Sequence, residues 1–395
     1  MGGGAVEHKR LNIYQRLRQW IRGLSKIQFT ALIAITVLLC LGSAGALYLR
    51  RLSDMEKVFK EIDWGLTDNQ DSSPNMDSVF AGRKIINIAL LGHDSDDKRV
   101  KKRLKGYTGL VDTIMIAAVN IETGEVDIVS IPRDSYVPIY NQGKYKDKIN
   151  SANFWGWSNG LSGVEDNVEA GIITQVETIS AVLGQVPIHF YVTVDMEAVV
   201  EIVDIMGGVW YDVPKRTYHK SGRIIAEPGY QRLSGKKFLD YVRSRVDGGD
   251  YQRAKKQQNV MVALFQQFKQ TNQLVNVPQI LLSMNNKIRT NLTLEQIAAL
   301  ALFGTRKVDS KNIATHTVEG TLTWGAIPGR PEGNNYYLID HKQRVQLIEE
   351  IWGKVVEPGP PDILLPAKKK SKDTEIDSDD PSYELDDISD FSSEP

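Results

Sequence analysis

The chemistry-bearing residues of this chain gather most densely in the stretch 241–258, YVRSRVDGGDYQRAKKQQ. It carries Arg243, Arg245, Arg253, Lys255 and Lys256, with Asp247 and Asp250 among them. Arg243 and Arg245 stand two apart, so an extended backbone places both on one face. Gly248 and Gly249 then break the chain. Asp250 is suited to cap a helix in which Arg253, Lys256 and Gln257 recur at three- and four-residue spacing on one face. Two cationic faces joined by a glycine bend form a clamp for a dense anion, because guanidinium forks match phosphate oxygens. The competing reading is a solvated charged helix with ordinary salt bridges.

A second group follows from strand geometry. Residues 85–91 form an almost continuous apolar run ending at Gly92, and 113–120 and 126–131 form two more. The connection Ile121-Glu-Thr-Gly-Glu125 is short and contains glycine, so the second and third runs should pair as an antiparallel hairpin. The start of the second strand then lies beside the end of the third. Asp112 just precedes the one and Arg133-Asp134 just follows the other, so these charges meet at one sheet edge. If the first strand runs parallel to the third, Asp94 joins them. Loops at strand ends are where scaffolds carry chemistry. Lys98, Arg99, Lys101, Lys102, Arg103 and Lys105, between the first two strands, would add positive field there, unless they form only a solvated basic loop.

The elements that must position these residues read as an α/β fold. A helix is expected over 167–183, a strand over 188–194, and an apolar helix over 196–206 capped by Asp195. A strand over 209–213 and a polar excursion over 216–231 follow. Helices are expected from Ser234, from Asp250 to Lys269, over 294–303 with Thr293 as cap, and over 342–355. Strand-like runs lie at 313–318 and 336–338. Strands alternating with helices give an α-β-α-like arrangement, a mixed central sheet covered by helices.

Composition sets the remaining bounds. The chain has 395 residues, a formal net charge of −1 and 42% hydrophobic residues. That is a globular composition, and near-neutral charge gives no reason to expect nucleic acid as a partner. The single cysteine, Cys40, lies inside an uncharged segment, 27–49, so disulfides and thiolate metal sites are excluded elsewhere. That segment is long enough to span a bilayer once. The basic excess in 1–26 places the N-terminus in the cytoplasm, a signal that Arg50 and Arg51 weaken without reversing. The apolar stretch is longer than a signal-peptide core, which favours a retained transmembrane helix over cleavage near Ser43-Ala44-Gly45-Ala46. Residues 50–82 read as a stalk or linker, 83–356 as the folded extracytoplasmic domain, and 357–395 as a disordered acidic tail.

Several segments together resemble the LytR-CpsA-Psr family of cell-wall transferases. They are Asn87-Ile-Ala-Leu-Leu-Gly-His-Asp94, Asp112-Thr-Ile-Met115, Ser130-Ile-Pro-Arg133-Asp134 and Lys146-Asp-Lys148-Ile-Asn150. Gly207-Gly-Val209, Asp212-Val-Pro214, Leu233-Ser-Gly235 and the stretch 241–258 continue the series. The resemblance implies a membrane-anchored transferase acting outside the cytoplasm. It would move an undecaprenyl-diphosphate-linked polymer, a teichoic acid or capsular polysaccharide, onto peptidoglycan through a phosphodiester. By the same resemblance Asp94 and Asp112 would hold magnesium, an ion suited to hard oxygen ligands. Arg133, Arg243, Arg245, Arg253 and Gln257, with Lys256, would bind the diphosphate. Asp94 or Asp134 would deprotonate the attacking hydroxyl. The helix 196–206 and strand 188–194 are candidate walls of a tunnel for the prenyl chain. Two positions depart from the family pattern: Leu110 and Lys256 stand where arginine is usual, and lysine keeps the charge without the fork. The alternatives these departures leave open are a non-catalytic polyprenyl-phosphate or glycan-binding regulator and a diphosphate hydrolase.

Overall fold

The computed structural model describes residues 42–43, 45–59, 83–93, 107, 109–219, 221–244, 249–271, 273–284 and 287–367. The short helix α1 (Met55–Phe59) precedes strands β1 (Ile85–His93), β2 (Val111–Asn120) and β3 (Val126–Ser130). β1 is buried along almost its whole length because both of its faces are covered. Ile85, Ala89 and Leu91 enter one apolar core, while Ile86, Ile88 and Leu90 enter another. This is the two-residue alternation of a strand read out as two separate packing layers. β2 and β3 are the expected hairpin. Its turn is closed by Asn120 Oδ1, which accepts from the Glu122 and Thr123 amides, and Gly124 takes the positive φ of 80° that it requires.

The chain continues through β4 (Tyr136–Pro138), β5 (Lys146–Lys148), α2 (Ala152–Asn159), α3 (Asn167–Val182), β6 (Phe190–Asp195), α4 (Met196–Ile205) and β7 (Val209–Val213). Asp195 caps α4 as expected, accepting from the Glu197 amide. Next come β8 (Thr217–Tyr218), β9 (Ile224–Ala226), β10 (Gly229–Leu233), α5 (Gly235–Arg243), α6 (Gly249–Gln270), α7 (Val277–Ser283), β11 (Ile288–Thr290) and α8 (Leu294–Arg306). Thr293 and Gln296 form a full capping box on α8. The last elements are β12 (Ile313–Thr317), β13 (Gly320–Ile327), β14 (Arg330–Ile339) and α9 (His341–Trp352).

The central sheet has six strands in the order β11-β6-β1-β2-β3-β12. β1 runs parallel to β6 and β3 parallel to β12, while the other pairings are antiparallel. The sheet is therefore mixed, with helices over it, as expected. This topology puts the ends of β1, β3, β6 and β12 and the start of β2 along one edge.

Several expectations need correction. β7 pairs with β10 in a separate ribbon, and the supposed polar excursion holds three short strands. Residues 336–338 are the inner part of a longer strand, β14, whose partner β13 was not anticipated. Leu52, Met55 and Phe59, expected in a stalk, are buried in the second core, and the Phe59 ring meets Phe190 edge-on at 5.5 Å. Apolar side chains at a three- to four-residue spacing pack against the sheet because their stripe has nowhere drier to go. Residues 357–367, expected in the tail, also lie against the domain: Leu365 bonds to the Ala326 backbone. Residues 27–41 of the expected span and 368–395 of the expected tail lie outside the described residues. Among the described residues no helix is long and apolar enough to cross a membrane.

Candidate active site

The β2–β3 hairpin delivers the contact that its register implies. Ile131 continues the ladder by donating to Ile114 O, and Pro132 then ends it. A turn follows in which the Ser135 amide and hydroxyl both donate to Pro132 O. Arg133, inside that turn, donates from Nη1 to Asp112 Oδ1 at 2.8 Å. Asp112 keeps its side chain 20% exposed at this edge.

Asp134 turns the other way, into the protein. Lys148 Nζ lies 3.1 Å from its Oδ1 and Arg133 Nε lies 3.5 Å from its Oδ2, with Asp134 and Lys148 each 8% exposed. The backbone around this pair is tied from three sides. Asn150 N donates to Arg133 O, Ile149 N to Ser135 O, and Tyr337 N to Asp134 O. Lys148 also lies over the Tyr336 ring, 5.7 Å from its centroid. A buried pair of this kind fixes geometry, since removing either charge leaves the other uncompensated. The basic patch Lys146-Asp-Lys148 thus supplies the counterion of Asp134, a role that its sequence did not disclose. His93, ending β1 beside this edge, is buried and its pKa is lowered by desolvation, against the opposing pull of Gly109 O, Asp195 and Asp112.

The second arginine group comes from α5 and α6. Arg243 is the last residue of α5 and is helical, so the expected extended pairing with Arg245 does not start from it. α6 begins at Gly249, which moves Asp250 from the cap into the first turn. Arg253 is buried, at 6% exposure. Gln257 Nε2 donates to Val242 O at 3.3 Å, and Lys256 Nζ donates to Ser244 O at 2.5 Å while lying over the Tyr241 ring. These two side chains fasten α6 to α5. The residue that fastens α6 to the sheet is Gln258, which sequence reasoning passed over. Its Nε2 donates to Ser130 Oγ at 2.7 Å and His316 O at 2.5 Å, at the adjoining ends of β3 and β12. α6 is thereby joined to the edge on which Arg133 stands, three positions beyond Ser130. The only signal for Gln258 was its place beside Gln257.

Asp94, Arg245, Lys101, Lys102 and Arg103 lie outside the described residues. Leu110 packs against the main core, so this departure from arginine is an apolar contact. In the proposed tunnel walls, Met196 and Val203 are buried in a cluster with Phe238 and Tyr241, and Val199 and Val200 are half-buried beside them. Among the described residues no group of three or more His, Cys, Asp or Glu is arranged to hold a metal ion. Magnesium asks for less: one or two carboxylates plus substrate phosphates and water. Asp112 at the start of β2 is a hard donor of the right kind, and Asp94 follows His93 in the chain but lies outside the described residues.

A family model described as the LytR_cpsA_psr family matches residues 55–352. An uncharacterized Staphylococcus aureus protein is 29% identical over 268 residues, 64% of this chain and 62% of that one, so the match spans just under two thirds of that relative. The polyisoprenyl-teichoic acid–peptidoglycan teichoic acid transferase TagU of Enterococcus faecalis is 28% identical over 328 residues, 81% of this chain and 93% of TagU. The crystal structure of B. subtilis TagV shares the fold with a TM-score of 0.54 at 22% identity, covering 69% of this chain and 99% of TagV. With three quarters of its length inside the family's bounds and the sheet-edge arginine and carboxylates assembled, this chain belongs to the LytR_cpsA_psr family.

Proposed function

We propose that this chain attaches a polyprenyl-diphosphate-linked glycopolymer, a wall teichoic acid or related polymer, to peptidoglycan from the outer side of the membrane. The observation that carries the reading is the Arg133–Asp112 pair at the sheet edge, joined to α6 through Gln258. A mostly buried arginine-carboxylate pair that keeps its carboxylate partly exposed suits a diphosphate, whose oxygens accept bidentate guanidinium bonds. The relatives named as teichoic acid transferases support the polymer class.

In this reading an acceptor sugar hydroxyl attacks the phosphorus that carries the polymer. A new P–O bond forms, the bond to the polyprenyl phosphate breaks, and the hydroxyl proton passes to a carboxylate. Asp134 is poorly suited to accept it, being buried and shared by Lys148 and Arg133. Of the two candidate carboxylates this reading favours Asp94 as the base. Arg133, Arg243, Arg245 and Arg253 balance the charge that develops on the phosphoryl oxygens. Magnesium, held by Asp94 and Asp112, would neutralise diphosphate charge when bound. Lys256 and Gln257 act here through α5, by holding α6 in place.

The test is transfer by the full-length chain in vesicles, from a polyprenyl-diphosphate donor to peptidoglycan fragments, with and without magnesium. The expected result is one polyprenyl phosphate released per polymer attached, with metal dependence. Release without attachment identifies a hydrolase, and donor binding without release identifies a regulator; either overturns the proposal.

A further inference from the structure

The chain does not stop at α9. Gly353 closes that helix with a φ of 68°, and residues 353–367, beyond the family match, run back across the domain as a strap. Val356 occupies the space at Gly184, where a Cβ would meet Val356 Cγ2 at 2.8 Å. Asp362, 6% exposed, receives Lys146 Nζ at 2.6 Å on one oxygen and His341 Nε2 at 3.1 Å on the other. Leu364 joins the apolar cluster of Tyr136, Ile327 and Tyr336. Leu365 exchanges both backbone hydrogen bonds with Ala326, at 2.9 and 2.8 Å. Two glycines of the β13–β14 hairpin make the passage possible. A Cβ at Gly325 would stand 2.6 Å from Leu364 Cβ, and one at Gly333 would stand 2.4 Å from Ala367 Cβ.

Besides the β13–β14 hairpin, the strap grips the β4–β5 hairpin. Lys146 lies on β5, and Tyr136 lies on β4 opposite Lys148. That hairpin is what orients the sheet-edge arginine. Lys148 holds Asp134 beside Arg133, and Asn150, two residues further, holds the Arg133 carbonyl. Lys146 is itself 37% exposed, so a mostly buried Asp362 is the contact that fixes its end of β5. Contacts on a short two-stranded ribbon matter more than on a sheet interior, because such a ribbon is marginal alone.

We propose that the strap is a positioning element of the active site, acting through Asp362, which sets β4–β5 and thereby the orientation of Arg133. This rests on the reading of Arg133 as a phosphate-binding arginine of the transfer reaction.

The test uses the full-length chain, with Asp362→Asn, Asp362→Glu and the exchanged pair Lys146→Asp/Asp362→Lys. Asp362→Asn should lower kcat about tenfold while KM for the donor stays unchanged, since small displacements of a positioning group cost rate. Hydrogen exchange at the Ile149 and Asn150 amides should accelerate in the same variant. Asp362→Glu and the exchanged pair should restore both. Unchanged kcat and unchanged exchange in Asp362→Asn would overturn the proposal. So would a loss of activity that follows the melting temperature alone and is restored by neither rescue. If the wild-type chain transfers nothing, the function proposed above fails, and the amide exchange still decides whether the strap sets the hairpin.

Discussion

The two arginine-bearing regions of this domain are held by different means. Arg133 stands in a turn whose backbone is tied by Asn150, Ile149 and Tyr337 amides, on the end of a six-stranded sheet. Arg253 stands on a helix whose placement depends on side-chain amides and an ammonium: Gln258 to the sheet, Gln257 and Lys256 to α5. On the sheet side main-chain bonds from three segments hold the turn backbone, so the Arg133 side chain can be replaced without moving that backbone far. On the helix side a few side chains carry the polar attachment, and Gln258 alone of the three reaches the sheet. Chemistry and placement are separable in the first region and mixed in the second.

The sharpest way to break this contrast is Arg133→Ala. Removing a preorganised charge-stabilising donor should slow transfer by roughly a hundred- to a thousandfold. The melting temperature should change little, because the turn is held by main-chain bonds. A large fall in melting temperature would show that the side chain itself builds the edge. Lys148→Met should do the reverse in kind. It strips the buried Asp134 of its nearest cation and should cost about 3 kcal/mol in urea unfolding. If stability is unaffected, the pair is not the anchor that its burial indicates.

On the helix side the expected effect is smaller and falls on binding. Gln258→Leu leaves Ser130 Oγ and His316 O without their donor and should cost about 1–2 kcal/mol of stability. It should also raise KM for the donor, because α6 carries Arg253. Donor titration checks this, and an unchanged KM would mean that α6 is located by its packing alone.

The same contrast explains what could be read in advance. The meeting of Asp112 with Arg133 followed from hairpin polarity, which needs only a short glycine-containing turn and the alternation of apolar residues. Arg243 defeated the spacing argument because two-residue spacing is meaningful only on a strand, and Arg243 is the last residue of α5. Gln258 was missed in favour of Gln257 because spacing singled out the face that carries Arg253 and Lys256, and the face that meets the sheet depends on packing that spacing alone does not give. Lys148 looked like part of a basic patch because its partner Asp134 lies across a hairpin of three-residue strands. Such short strands leave almost no periodic signal. The strap was hidden by composition: its prolines and exposed Ile363 resemble a tail, while its attachment rests on Asp362, Leu364 and two glycines in another element.

The smallest expected effect in the wild-type chain is its pH dependence, and it arises within the sheet-side scaffold. Burial pushes His189 down to about 3, and its neutral Nδ1 accepts the Asn87 amide at 2.9 Å, joining the approach to β6 to β1. Its ordinary value is 6.5, so between the two values the unfolded chain holds a proton that the folded chain lacks. Stability from this group therefore rises with pH from about 3 to 6.5. Burial pushes Glu177 on α3 up to about 7, from an ordinary 4.5. Here the folded chain holds the extra proton, and stability falls as pH rises from 4.5 to about 7. Each slope is at most about 1.4 kcal/mol per pH unit, and between 4.5 and 6.5 they oppose one another. His93, whose pKa burial also lowers, adds to the rising side, so wild-type urea unfolding should rise with pH across that window less steeply than without Glu177. Glu177→Gln should steepen the rise, and His189→Gln should weaken it. If both variants keep the wild-type pH dependence, the sheet side tolerates these charges by opening to water, and its backbone ties are looser than the contrast with α6 requires.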